Sequence, residues 1–260
     1  MRRTPVKPDL DTVPEVFHTL LQNTAVYDSS CSPTARVYFI DKERGLYLKS
    51  APGGTLESEA RMTDFFFRQK LGPEALAYVR GEQDWLLTRA VGGEDCTHQM
   101  YLDQPERLAE TLALTLRLLH GQDISQCPEN RLESYLADAR RNCREGRYDT
   151  SLFPDNWGFT SSEEAWQEIT RNGHLLKSDT LIHGDYCLPN VMLDNWKFSG
   201  FIDLGRAGIA DRHMDIFWGA WTLMFNLKTD KFCRRFLDAY GQDGYDEDML
   251  RLVAAFEVFE

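Results

Sequence analysis

What this 260-residue chain is short of narrows its chemistry before any motif is read. No apolar run approaches the roughly 18 residues that a membrane-crossing helix needs, so no membrane partner is expected. The opening MRRTPVKPDLDTVPEVF has basic residues but no apolar stretch behind them, which predicts no secretory signal and a cytoplasmic location. Cations are in deficit, with 29 Lys and Arg against 41 Asp and Glu and a net charge of -12. A nucleic-acid binder needs basic surface to meet phosphates, so that class is set aside, while a cationic small molecule stays compatible. The six cysteines show neither a Cys-x-x-Cys pair nor zinc spacing, and a chain this long needs no disulfides to hold a core. Six reduced thiols are therefore expected. Two phosphate-binding glycine patterns, G-x-x-x-x-G-K-[ST] and G-x-G-x-x-G, are also missing, which removes the P-loop and dinucleotide-fold readings.

What is present divides in two, without repeats or low-complexity tracts. The first third reads mainly as strands at 36–40, 46–49, 77–80 and 85–88. In LYLK, Leu46 and Leu48 share one face, and Tyr47 and Lys49 share the other. After APGGT a helix is predicted from about Thr55 to the stop at Gly72-Pro73. Gly92-Gly93 closes this region. Beyond residue 100 the pattern turns helical. Leu108, Leu112, Leu116 and Leu119 recur at helical spacing and mark a core stripe, behind an apparent capping box at Asp103 and Glu106. Further helices are predicted at 130–145, 161–172, 211–227, 229–240 and 245–259. Within this half, 191–193 and 198–202 read as a hairpin about a turn at 194–197. The chain is thus a small β-rich lobe (1–91, with a hinge at its end) and a larger helical lobe (92–260), and ligands favour clefts between lobes.

Chemistry concentrates around the hairpin. HGDYCLPN supplies Asp185 and Asn190 before its first strand, and SGFIDLGRAG supplies Asp203 just past its second. A hairpin brings its ends together, so Asn190 and Asp203 are expected as neighbours. One carboxylate and one amide oxygen suit a hard cation such as Mg²⁺, completed by phosphate oxygens. Asp185 is then left to orient or deprotonate a hydroxyl, and phosphoryl transfer asks for little more. Against this, Asp and Asn are also common turn residues. Lys49 is a lone lysine on an apolar strand. It is either an edge-strand charge or a phosphate ligand held by a helix carboxylate, with Glu57 and Glu59 both on offer.

Together these residues resemble an antibiotic kinase of the aminoglycoside 3'-phosphotransferase type. LIHGDYCLPNVMLDNWKFSGFIDLGRAGIADRHMDI is similar to that family's catalytic core, and SPTARVY, LYLK and LESEARMTDFF are similar to its N-lobe. The resemblance covers nearly the whole chain. It implies an α+β, bilobal protein-kinase-like fold, Mg²⁺ as cofactor and ATP or GTP as donor. It also implies roles: Asp185 as the catalytic acid positioning the hydroxyl, Asn190 and Asp203 on Mg²⁺, and Lys49 on the α- and β-phosphates, paired with Glu59. Ser32 would touch a phosphate, Thr88 and Ala90 would meet the adenine through backbone groups, Arg206 would lie beside the transfer site, and Asp215 would brace the catalytic loop. FPDNWGF and the FEVFE end imply acceptor contacts at Asp155, Asn156, Glu257 and Phe259.

The chain departs from the pattern where the acceptor is expected. Gly158 and Phe256 stand where acids occur, Glu260 extends past Phe259, and FWGAWTLMFN is apolar where the family tends to be polar. The leading expectation is phosphorylation of a hydroxyl, the 3'-hydroxyl, of an aminoglycoside, conferring resistance, by a monomer or weak dimer. Two alternatives are a kinase of the same fold acting on a macrolide or a metabolite alcohol, and a nucleotide-binding module without catalysis.

Overall fold

The computed structural model describes residues 3–22, 24–150 and 158–259. Its strands are β1 (Thr4–Pro5), β2 (Val26–Asp28), β3 (Arg36–Ile40), β4 (Leu46–Pro52), β5 (Ala75–Val79), β6 (Gln83–Arg89), β7 (Glu94–Asp95), β8 (Thr180–Ile182), β9 (Val191–Asp194), β10 (Lys197–Phe201) and β11 (Gly208–Ala210). Its α-helices are α1 (His18–Leu21), α2 (Glu57–Arg68), α3 (Gln99–Leu102), α4 (Pro105–His120), α5 (Leu132–Arg144), α6 (Ser162–Asn172), α7 (His213–Leu227), α8 (Lys231–Tyr240) and α9 (Glu247–Glu257). Contacts gather these into two compact units, residues 1–95 with 189–205, and residues 96–188 with 206–260.

The first unit is built on an antiparallel sheet in the order β1-β2-β3-β4-β6-β5. Alternation along β4 decides its two faces. Leu46 and Leu48 are buried with Ile40, Trp85, Leu87 and Phe17 in one core. The opposite face carries Lys49, whose cross-strand partner is Leu86. Leu86 packs with Leu56 and Ala60 at the start of α2, so α2 covers the face on which Lys49 sits. A second sheet, β10-β9-β7, contains the predicted hairpin. Its two-residue turn has Asn195 at φ 49 and Trp196 at φ 69, the left-handed pair that matches strand twist in tight hairpins.

The second unit is helical around α4, whose Leu108, Leu112, Leu116 and Leu119 are fully buried. Burying such a side chain stabilises by about 2 kcal/mol, so the stripe holds α4 against its neighbours α7 and α8. Two features of this unit differ from the sequence reading. Asp103 does not cap α4: the N-cap residue is Gln104, without a side-chain cap, and Asp103 instead accepts from Gln99 Nε2 at 2.7 Å. A short turn of helix, α3, ends at Asp103 and takes it out of position. The second is a small sheet, β8 with β11, which three-residue strands cannot announce by periodicity. No helix among the described residues is long and apolar enough to cross a membrane, and all six cysteines are free.

Candidate active site

In the first unit, Lys49 is the centre of a charged cluster. Its Nζ donates to Glu59 Oε1 at 2.9 Å, to Glu59 Oε2 at 2.8 Å and to Asp203 Oδ1 at 2.8 Å. Burial works against the ammonium, and the Glu59 and Asp203 charges outweigh it, so Lys49 is held above its ordinary value. Burial likewise pushes the Glu59 carboxyl up, against the pull of Lys49. Glu57, two residues earlier on α2, turns outward to Arg61 at 3.0 Å and Arg80 at 3.2 Å. The glycine at 205 admits the chain beside this pair, since a Cβ there would lie 3.3 Å from Glu59 Oε2.

The hairpin sets out the other two ligand candidates. Phe201 pairs with Val191, and the next N–H, that of Ile202, donates to the Asn190 carbonyl at 3.1 Å. Asn190 and Asp203 therefore flank the open end of one hairpin. Asn190 is buried and Asp203 exposed. Asp203 takes a left-handed φ of 60, a strained conformation for a residue with a Cβ. Elsewhere in this unit, Ser32 lies in the exposed loop before β3, where its hydroxyl meets Thr34 Oγ1 at 2.7 Å. Thr88 pairs with Tyr47 near the end of β6, and the Ala90 N–H donates to the Gly45 carbonyl at 3.0 Å.

In the second unit, the loop carrying Asp185 is held from below. Asp215, at the start of α7 and fully buried, accepts the His183 N–H at 2.7 Å and the Gly184 N–H at 2.8 Å. The His120 ring lies between Asp215 Oδ2 (3.3 Å) and the Tyr240 hydroxyl (2.8 Å), and burial keeps it below its ordinary pKa. A carboxylate only accepts, so Nε2–H donates to Asp215 and Nδ1 accepts from Tyr240. Further along, the Leu188 N–H donates to Thr222 Oγ1 at 3.1 Å, and the Tyr186 hydroxyl to the Leu112 carbonyl at 2.8 Å. Gly184 is at φ 79, and a Cβ on it would stand 2.2 Å from the Arg206 carbonyl oxygen, so only glycine fits. Cys187 is no nucleophile, because burial, reinforced by the Asp185 charge, pushes its thiol far up.

Of the acceptor candidates, Asp155 and Asn156 lie outside the described residues. Glu257, only 2% exposed, accepts the Tyr135 hydroxyl at 2.9 Å. Its carboxyl is pushed up to about 7, by burial first, while Tyr135, Arg206 and Trp218 pull it down and Asp185 adds to the rise. Phe259 is buried edge-on to Trp166 at 5.8 Å, and its carbonyl accepts from Asn142 at 2.6 Å. Arg206 is exposed and is felt electrostatically by both Glu257 and Tyr135. The sequence reading passed over Tyr135, Thr222 and His120. Each works through a partner distant in the chain, so no local pattern marks it; His120, at the end of the leucine stripe, is the one with a positional hint.

Residues 32–251 match the phosphotransferase enzyme family, and the chain belongs to it. It is 47% identical over 253 residues, 96% of each chain, to a probable aminoglycoside 3'-phosphotransferase of Lactococcus lactis subsp. lactis. It is 35% identical over 230 residues, 86% of this chain and 87% of the other, to an aminoglycoside 3'-phosphotransferase of Niallia circulans. Among solved structures it is similar to a type VIII aminoglycoside-3'-phosphotransferase, with TM-score 0.70 and 27% identity over 86% of this chain and 88% of that one. The fold is the α+β protein-kinase-like fold expected from the sequence.

Proposed function

We propose that this phosphotransferase moves the γ-phosphoryl group of a nucleoside triphosphate onto a hydroxyl, the 3'-hydroxyl, of an aminoglycoside, and so confers resistance. The observation that carries the donor half is the Lys49 ammonium, fixed between Glu59 and Asp203 at 2.8–2.9 Å. A preorganised cation of this kind suits the α- and β-phosphates and costs no rearrangement when charge develops. The names of the relatives carry the acceptor half: the Niallia protein is an aminoglycoside 3'-phosphotransferase and the Lactococcus protein a probable one. ATP or GTP serves as donor in this reading.

Asn190 and Asp203 fit a hard cation by their donor chemistry, an amide and a carboxylate oxygen at one hairpin mouth, and would hold Mg²⁺. When bound, Mg²⁺ neutralises charge on the phosphate oxygens. The protein's own groups do the rest. Lys49 grips the donor, with Ser32 on a phosphate and the backbone at Thr88 and Ala90 toward the base. Asp185 aligns the acceptor hydroxyl and takes its proton, on a loop that Asp215 and Thr222 keep rigid. Arg206 stabilises the transferring charge. Glu257, Phe259, Asp155 and Asn156 receive the acceptor, whose ammonium groups want carboxylates.

The test is ADP release with Mg·ATP across a panel of aminoglycosides. Release with compounds bearing a free 3'-hydroxyl and none with their 3'-deoxy analogues is expected. A second reading, a different small alcohol as acceptor, is favoured by one observation. On α7, Trp218 meets Trp221 edge-on at 5.2 Å and Trp221 stacks on Phe225 at 4.8 Å, an aromatic surface that suits an acceptor with an apolar body. Stimulation by a neutral alcohol and by no aminoglycoside selects it.

A further inference from the structure

The end of α9 is fastened to α5 and the segment behind it. Tyr135 donates to Glu257 Oε1 at 2.9 Å, the Asp149 N–H donates to the Val258 carbonyl at 2.8 Å, and Asn142 donates to the Phe259 carbonyl at 2.6 Å. The Tyr135 ring also packs on Phe256, with centroids 5.0 Å apart. Of these ties, one reaches a charged side chain, and it reaches only one of its two oxygens. Glu257 Oε2 is buried with no hydrogen-bond partner. A buried acceptor left unmet costs on the order of 1–3 kcal/mol, more when it is charged, and such a group asks for an explanation.

We infer that Tyr135 is a positioning residue for the acceptor: its hydroxyl clamps one oxygen of Glu257 so that the other stays turned to an ammonium group of the bound aminoglycoside. The inference rests on the reading that Glu257 belongs to the acceptor site, and it adds a residue to which that reading gives no role. Burial, then the Glu257 charge, hold the Tyr135 phenol well above its ordinary value, so it remains a donor. A cation at Oε2 supplies what the fold withholds, and binding of the acceptor completes the carboxylate's hydrogen bonding.

The surroundings of Glu257 limit the other contributors. From α5 comes Tyr135, and from α7 the Trp218 indole N–H, which lies toward the carboxylate and favours the anion without completing a hydrogen bond of good geometry to Oε2. Arg206 favours the anion and Asp185 opposes it. From α6, Glu164 is engaged with Arg251 of α9 at 3.0 Å. Removing the Tyr135 hydroxyl takes away one of the anion's supports, so the carboxyl of Glu257 rises further and is less ionised at neutral pH.

The experiment is a double-mutant cycle of Tyr135→Phe and Glu257→Gln, read as steady-state kinetics with a 3'-hydroxyl aminoglycoside from pH 6.5 to 8.5. Tyr135→Phe keeps the ring on Phe256. It should raise KM for the aminoglycoside about tenfold at pH 7, the size of one lost hydrogen bond to a charged group, with kcat and the KM for ATP within about twofold. The rise should shrink toward pH 8.5 as Glu257 ionises without help, and it should vanish in the Glu257→Gln background. The acceptor's own amines titrate identically in every variant, so the difference between variants isolates the enzyme group. A parallel fall in kcat and affinity at all pH values, additive with Glu257→Gln, makes Tyr135 a packing residue and overturns the inference. An unchanged KM in Tyr135→Phe, with Glu257→Gln impaired, defeats the inference and leaves the acceptor reading standing. An unchanged KM in Glu257→Gln, or no turnover of any aminoglycoside by the unaltered chain, defeats both. If Tyr135→Phe does not fold, ¹³C titration of the unaltered protein decides. A Glu257 midpoint near 7 that falls when the aminoglycoside binds supports the clamp, and a midpoint at the ordinary carboxylate value sinks it.

Discussion

Among the described residues two glutamates are buried, one in each unit, and they are treated in opposite ways. Glu59 has both oxygens on the Lys49 ammonium. Glu257 has one oxygen on a tyrosine and the other on nothing. Neither arrangement is forced by burial, since the two are 7% and 2% exposed. Under the proposed site assignments, the difference is what a two-substrate enzyme requires. The donor's phosphates bring negative charge, and the proposed partner for them is a cation anchored by a carboxylate that is itself fully satisfied. The acceptor brings positive charge, and the proposed partner for it is an anion left wanting. In this view the first unit commits its carboxylate to internal order, and the second holds its carboxylate in reserve for a ligand.

Three substitutions break or sharpen that contrast. The largest effect is expected from Asp185→Ala, which leaves the partners of Glu59 and the Tyr135 bond of Glu257 in place and removes only the Asp185 charge that Glu257 feels. Turnover should fall by about 10²–10⁴, while nucleotide binding and urea midpoint stay put. Full activity in that variant removes Asp185 from the chemistry, and lost nucleotide binding blurs the separation between donor and acceptor groups. Next is Lys49→Met, which leaves Glu59 buried without its counter-ion. A loss on the order of 3 kcal/mol is expected by urea denaturation, less than a fully enclosed pair would show because the Lys49 side chain is 21% exposed. Weakened ATP binding should accompany it. A variant as stable as the parent means that Glu59 is not the satisfied member of the comparison.

The smallest effect concerns Glu257→Gln and stability. In the unfolded chain this carboxyl titrates near 4.5, and in the folded protein near 7. The folded state thus holds an extra proton between those values. The stability it contributes is complete below pH 4.5 and is lost as pH rises through about 7. Thermal melting of the parent should decline across that window relative to Glu257→Gln, by a few degrees at pH 8. Parallel melting curves from pH 4.5 to 8 contradict the elevated carboxyl.

Much of the first unit was legible because its signals are local. The strand predicted at 36–40 is β3 to the residue, and the hairpin was marked by a polar turn between two apolar runs. The pairing of Lys49 was readable only in part. Glu57 and Glu59 both fall in the first turn of α2, and the choice between them depends on which way α2 lies over the sheet. Asp103 shows a motif overridden by its neighbour, since a capping signature works only if the chain is not already turning into another helix. The Asp215 brace was anticipated through the family resemblance, whereas Tyr135 was not. It is 122 residues from Glu257, and a lone tyrosine on a polar helix carries no sign of a partner so far along the chain.

The left-handed backbone at Asp203 has a practical side. Glycine at that position would relieve about 1 kcal/mol of strain and remove a carboxylate that repels Glu59, while the ion pair to Lys49 that it gives up involves a half-exposed carboxylate and is worth less. A directed-evolution campaign scored on heat tolerance alone would therefore enrich glycine at 203, and each round of apparent improvement would discard the proposed metal ligand. Selection on antibiotic survival would run the other way, so the two screens, started from one library, should diverge at this codon.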